Sequence, residues 1–164
     1  MKIYIIGFMG VGKSTIGRKI ANRLNYSFID TDYSIENKTG LKTSEIFEKY
    51  GEAHFRKLEQ EELIKTTKIE NAVISCGGGL PCFFDNMQII NENGISLYIK
   101  LSPQSIKTRL INSKKKRPLL ETIAYDDLPK FIEELLLKRE IFYNQATFTI
   151  KGENIKIEDV LELI

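Results

Sequence analysis

Apolar residues along this chain fall into short continuous runs that alternate with stripes of helical spacing. Ile3-Tyr4-Ile5-Ile6 is too short for a helix and suits a strand buried on both faces. Residues 14–24 place Ile16, Ile20, Ala21 and Leu24 on one helical face. Ser27-Phe28-Ile29 predicts a second strand, ending at Asp30-Thr31-Asp32. Residues 43–67 read as helical, with Thr43 or Ser44 as the first N-cap and Gly51 dividing the stretch. Ala72-Val73-Ile74-Ser75 is a third strand, running into Cys76-Gly77-Gly78-Gly79. A helix over 83–92 ends at Asn93-Gly94, and Ile95 to Leu101 is a fourth strand. Ser102-Pro103 opens another helix, with proline at its first position. Residues 112–122 read as an irregular loop. The longest helix covers 125–143, Ala146 to Ile150 is a fifth strand, and Ile157 to Ile164 a closing helix.

Strands alternating with helices predict an α/β fold: a mostly parallel sheet covered on both faces, in a single domain over 1–164. Ligands of such sheets sit beyond the carboxyl ends of the strands. Three polar clusters fall there: Gly7 to Ser14, Asp30-Thr31-Asp32, and Gly77-Gly78-Gly79.

Composition narrows the class without choosing a function. The 164 residues are 42% hydrophobic and 28% charged, ordinary for a globular domain. A net charge of +2 argues against a nucleic-acid partner. Cys76, Cys82 and the lone His54 form no metal pattern, and reduced thiols suit the cytoplasm. Met1-Lys2 and the apolar stretch after it resemble a short signal peptide, but Lys13, Arg18 and Lys19 follow at once, with no small-residue cleavage site. No apolar run approaches a membrane span.

Gly7-Phe8-Met9-Gly10-Val11-Gly12-Lys13-Ser14 fits G-x-x-x-x-G-K-[ST] and directly follows the first strand. Glycines let several backbone N–H groups converge on an anion, and the following helix N-terminus adds partial positive charge. The pattern predicts a nucleotide-phosphate site, with Lys13 on the β- and γ-phosphates and the Ser14 hydroxyl on Mg²⁺. Asp30 and Asp32 alternate along an extended segment and so face one site. Asp30 is a candidate outer-shell partner of Mg²⁺ through water, and Asp32 a candidate acceptor for a substrate hydroxyl proton. A turn or a helix cap is the plain alternative for both.

Arg139 lies near the middle of the stripe formed by Leu128, Phe131, Ile132, Leu135, Leu136 and Phe142, while Glu133, Glu134 and Glu140 fall outside it. An inward arginine needs an anionic partner, and a substrate carboxylate supplies bidentate geometry. An internal salt bridge, or an arginine that snorkels to water, is the plain alternative. Arg56 and Glu59 can pair at i,i+3, which on its own describes a surface ion pair. Lys114-Lys115-Lys116-Arg117-Pro118-Leu119-Leu120 is basic, then rigid, then apolar. It suits a lid, with Arg117 stabilising charge on a transferring phosphoryl group.

Taken together, the phosphate loop with Thr15, Asp30-Thr31-Asp32, Phe55-Arg56-Lys57-Leu58-Glu59, Gly77-Gly78-Gly79, Arg117-Pro118-Leu119-Leu120, and Arg139 with Tyr143 resemble shikimate kinase in kind and order. The resemblance implies a five-stranded parallel sheet like that of nucleoside monophosphate kinases. It implies ATP-dependent phosphorylation of the 3-hydroxyl of shikimate, with Mg²⁺, by a cytoplasmic monomer on the route to chorismate. It implies catalytic roles for Lys13, Asp32 and Arg117. ATP contacts would come from Gly10, Val11, Gly12, Lys13, Ser14, Thr15, Arg109 and Arg117, with Arg109 along the adenine. Substrate contacts would come from Asp32, Phe47, Phe55, Arg56, Gly77, Gly78, Gly79 and Arg139, within a region of about 31–62 and a lid of about 112–122. Two features depart from the family: Lys151-Gly152-Glu153-Asn154-Ile155 lacks the proline often found near the adenine, and the segment after Tyr143 is about a residue short.

A gluconate-type kinase would use similar parts, but the aspartate, arginine and triple-glycine set favours shikimate. A GTP-binding switch needs Asn-Lys-x-Asp, and Asn37-Lys38-Thr39-Gly40 lacks the aspartate. A non-catalytic nucleotide module would leave Asp32 and Arg117 without a task.

Overall fold

A computed structural model of the chain describes every residue except Lys115 and Lys116. Those two belong to the basic run assigned to the lid, so that part of the lid lies outside the described residues. The strands are β1 (Lys2–Ile6), β2 (Ser27–Asp30), β3 (Ala72–Ser75), β4 (Ile95–Lys100) and β5 (Phe148–Lys151). They form one sheet in the order β2-β3-β1-β4-β5, and every adjacent pair is parallel. Ile3, Tyr4, Ile5 and Ile6 have no exposed surface, as a central strand covered on both faces requires. Each such side chain contributes roughly 1.5–3 kcal/mol by leaving water.

The helices are α1 (Lys13–Leu24), α2 (Thr31–Thr39), α3 (Thr43–Tyr50), α4 (Glu52–Thr66), α5 (Asn86–Asn93), α6 (Pro103–Ile111), α7 (Leu128–Tyr143) and α8 (Ile157–Leu161). From β1 the chain crosses through α1 to β2 on one side, and from β3 through α5 to β4 on the other. Right-handed crossovers in opposite directions put α1 and α5 on opposite faces. They also open a crevice where the carboxyl ends of β1 and β3 lie side by side, and the phosphate loop and the glycine run both start there.

Helices α7 and α8 are each three residues shorter than the sequence pattern, and four further differences have a local reason. Helix α2 is absent from that pattern because it buries only Thr31 and Ile35; Asp30 caps it by accepting from the Tyr33 N–H at 3.2 Å. Helix α3 has Thr43 as its first residue rather than its cap. Its N-terminus is served by Glu45, which accepts from the Lys42 N–H at 2.6 Å, and by Glu36, which accepts from the Thr43 N–H at 2.9 Å. Helix α5 starts only at Asn86, because Phe83 is extended and Phe84 sits at a left-handed φ of 52°. Strand β5 starts at Phe148, because Ala146 still donates to the Tyr143 carbonyl at 3.1 Å. Glu140 is half-buried rather than outside the packed face: it accepts from the Tyr98 hydroxyl at 3.2 Å and pairs with Lys100 at 2.8 Å.

Gly94 lets β4 start tight against β1. A Cβ there would lie 2.6 Å from the Lys2 carbonyl oxygen, which the ladder holds in place. Gly94→Ala is therefore expected to lower stability by about 1–3 kcal/mol through overpacking. Urea unfolding would measure this, and a midpoint equal to wild type would contradict it.

Candidate active site

The phosphate loop curls because three of its glycines take φ values closed to most residues: 141° at Gly7, 81° at Gly10 and 93° at Gly12. Lys13 folds back under the loop and donates to the Gly7 and Phe8 carbonyls, both at 2.9 Å. Burial pushes its amine down to about 8, with the Asp32 carboxylate pulling the other way. Ser14 donates to Asp30 Oδ2 at 2.5 Å and lies 3.2 Å from the Ser75 hydroxyl. These hard oxygen donors suit Mg²⁺, which takes one or two protein oxygens and completes its shell with phosphate and water. Among the described residues, no cluster of three His, Cys, Asp or Glu forms a self-sufficient metal cage.

Asp30 and Asp32 reach the site by different geometry from the strand alternation expected of them. β2 ends at Asp30, and Asp32 stands in the first turn of α2. Both still line the cavity that holds Lys13, Ser14, Thr15, Gly10 and Gly12. Between them, Thr31 is fully buried and its hydroxyl accepts from the Gly77 N–H at 2.9 Å, tying α2 to the end of β3. The sequence pattern gave Thr31 no role.

Arg56 is buried, not the surface ion pair that its spacing alone describes. It donates to Glu59 at 2.6 Å and to Glu52 at 2.9 Å, and its guanidinium lies 4.3 Å from the Phe83 ring centroid. Phe55 and Phe47 flank it at 5.6 and 5.8 Å. Glu59 is 1% exposed. Burial pushes its carboxyl up to about 7; Arg56 opposes this, and the charge of Asp32 adds to it. Gly77 lies behind this wall rather than in it, since a Cβ there would meet Asp32 Oδ1 and Glu59 Oε1, each at 2.6 Å.

Arg139 is 5% exposed, and one guanidinium nitrogen has no hydrogen-bond partner among the described residues. It lines a cavity with Asp32, Phe47, Phe55, Arg56, Gly78 and Gly79, roofed by Arg117, Pro118 and Leu119. Met9, Asp32, Gly78 and Arg117 line both this cavity and the phosphate-loop cavity. A cationic pocket for a small acid thus opens onto an anion-binding loop, with one carboxylate at the junction. That is the layout of a small-molecule kinase.

A family model described as shikimate kinase matches residues 9–164. The chain belongs to the shikimate kinase family. The shikimate kinase of Azobacteroides pseudotrichonymphae is 43% identical over 164 residues, covering 98% of this chain and 95% of that protein. The crystal structure of shikimate kinase from Bacteroides thetaiotaomicron superposes with a TM-score of 0.93 at 37% identity, covering 99% of this chain and 97% of that one. Shikimate kinase from Acinetobacter baumannii, solved in complex with shikimate, gives a TM-score of 0.89 at 33% identity, covering 98% and 88%.

Most residues that the shikimate kinase resemblance picked out converge on the two cavities. Val11 is a buried support: its carbonyl accepts from Arg109 at 3.5 Å. Arg109 borders the phosphate-loop cavity and makes a solvent-exposed ion pair at 3.1 Å with Glu153, in the loop after β5. Met9, Thr31, Glu52 and Phe83 were not singled out by sequence. Met9 is an apolar residue inside a motif, Glu52 pairs with Arg56 one helical turn away, a spacing common among surface ion pairs, and Thr31 and Phe83 act through neighbours distant in sequence.

Glu59 yields a test of the buried network. Its folded-state value lies above the ordinary 4.5, so the folded chain binds the extra proton between about 4.5 and 7. That stabilising contribution is present below this window and lost as pH rises through it. Relative to Glu59→Gln, wild type should lose stability with pH on the order of 1 kcal/mol per unit across the window. Denaturant unfolding at pH 5, 6 and 7 measures it, and a constant difference between the two proteins would exclude the raised value.

Proposed function

We propose that the chain transfers the γ-phosphoryl group of ATP to the 3-hydroxyl of shikimate, giving shikimate 3-phosphate and ADP on the route to chorismate. The observation that carries this is the buried Arg139 guanidinium, short of one partner, in a cavity that shares Asp32 with the phosphate loop. A buried cation with an unmet donor selects an anion, and a planar carboxylate matches its fork. Arg56 stands on the same wall, held by Glu52 and Glu59. Phe47 and Phe55 supply an apolar surface for a carbon ring.

Asp32 at the junction orients the attacking hydroxyl and accepts its proton as the new O–P bond forms and the bond to ADP breaks. Lys13 and Arg117 offset charge on the phosphoryl oxygens, and the loop N–H groups hold the phosphates in line. Ser14, and Asp30 through water, would hold Mg²⁺, which would supply positive charge to offset the phosphate oxygens. Arg109 borders the phosphate-loop cavity and would lie along the adenine. The site as proposed is complete within one copy of the chain and needs no residue from a partner. Cys76 and Cys82 are free thiols, which supports the cytoplasm. No helix among the described residues is long and apolar enough to cross a membrane.

The direct test mixes the protein with ATP and Mg²⁺ and follows ADP release with shikimate, quinate, gluconate or no acceptor. Strong stimulation by shikimate alone is expected; stimulation by gluconate alone would reassign the acid. Arg139→Ala removes a charged contact worth about 1.5–3 kcal/mol. Its KM for shikimate should rise about 10- to 100-fold, with the KM for ATP little changed, and an unaltered shikimate KM would reject the clamp.

A further inference from the structure

The phosphate loop and the arginine clamp leave one buried polar group of α7 unexplained. Tyr143 has no exposed surface, and its hydroxyl donates to the Gly78 carbonyl at 2.5 Å. It lies one helical turn after Arg139, so the two share the inward face of α7. Its ring is fixed against Tyr98, with centroids 5.1 Å apart. Burial raises its pKa, against the pull of the Arg139 guanidinium, so the hydroxyl remains a donor throughout the working range.

The bond matters because of what shares the peptide plane. In a trans peptide the C=O of one residue and the N–H of the next point in opposite directions, and the described residues contain no cis bond. The Gly77 carbonyl accepts from the Leu80 N–H at 3.1 Å, which fixes the Gly78 N–H. Tyr143 holds the Gly78 carbonyl, which fixes the Gly79 N–H. Neither N–H donates to a protein acceptor among the described residues, whereas the Gly77 N–H is taken by Thr31. Gly78 and Gly79 both line the acid cavity. A Cβ on Gly79 would run into the Arg56 guanidinium, and one on Gly78 would make a tight 3.2 Å contact with the Met9 nitrogen.

We propose that Tyr143 is a positioning residue for the acidic substrate, aiming the Gly79 N–H into the cavity as a backbone donor beside Arg56 and Arg139. The proposal rests on the acid-binding role given to that cavity. It assigns the inward face of α7 two tasks: Arg139 meets the substrate, and Tyr143 sets the backbone that meets it from the other side.

Tyr143→Phe keeps the ring and deletes the bond. Tyr98→Phe is the control, since that hydroxyl goes to Glu140 and not to the glycines. In Tyr143→Phe the KM for shikimate should rise about 3- to 10-fold, the loss expected for one hydrogen bond. The KM for ATP should stay near wild type, and the melting temperature should fall by only the few degrees that one buried hydrogen bond accounts for, about 2–4 °C per kcal/mol lost. Without any substrate, the Gly79 amide should exchange its hydrogen faster, read by NMR. Tyr98→Phe should change neither the shikimate KM nor the Gly79 exchange. Unchanged Gly79 exchange in Tyr143→Phe would overturn the proposal, as would equal rises in KM for both variants with a common loss of melting temperature. A wild-type chain that ignores shikimate would overturn the acid-binding role instead, and the exchange measurement would still decide whether Tyr143 fixes the peptide.

Discussion

Charges removed from water must be matched, and at the carboxyl edge of this sheet one match is left for a ligand. Lys13, Arg56 and Arg139 are all buried there, close to Asp32 and the buried Glu59. Lys13 is satisfied by loop carbonyls, and Arg56 by two carboxylates and three aromatic rings. Arg139 alone of the three keeps a guanidinium nitrogen without a hydrogen-bond partner among the described residues. Leaving a buried donor unmet costs on the order of 1–3 kcal/mol, more for a charged group. In the proposed reaction the substrate carboxylate would recover that cost, so part of its affinity would be stored in the folded chain before it arrives.

Storing it requires a scaffold that does not relax. Water would solvate Arg139 if α7 could shift outward, but Ile132 and Leu136 on the same helix are packed in the main core. The floor is equally constrained. Thr31 ties α2 to Gly77, and Gly77 has no room for a side chain between Asp32 and Glu59. The sheet's central strands are buried on both faces and supply the fixed frame.

Much of this was legible in the sequence, and the limits have physical causes. Central strands announce themselves as continuous apolar runs because both faces are covered, and the phosphate loop because its backbone demands glycine at set intervals. Arg139 was legible because a charge in the middle of an apolar stripe conflicts with helical periodicity. Helix α2 was not, since it buries little apolar surface and is held by a cap. The alternation argument put Asp30 and Asp32 on one side for the wrong reason: the chain turns helical between them, and α2 rather than the strand carries Asp32 to the junction. Arg56 misled in the other direction. Nothing local distinguishes an i,i+3 pair in solvent from one covered by Phe83, which approaches from a loop 27 positions away in the numbering of the two residues.

The two halves of the site use different chemistry, and the ligands explain why. A triphosphate presents many equivalent oxygens, so converging backbone N–H groups and a helix N-terminus bind it without reading its identity. A small hydroxy acid has one carboxylate and a ring whose hydroxyls must be told apart. That calls for side chains fixed in orientation, which in the proposed site come from α2, α4 and α7, three elements whose relative placement only the complete fold determines. The glycine run after β3 joins the two halves, because Gly78 borders both cavities. On the proposed reading, a group that fixes the backbone at Gly78 would act on the acid without touching it, and the Tyr143 hydroxyl bonds that carbonyl from the same helix that carries Arg139.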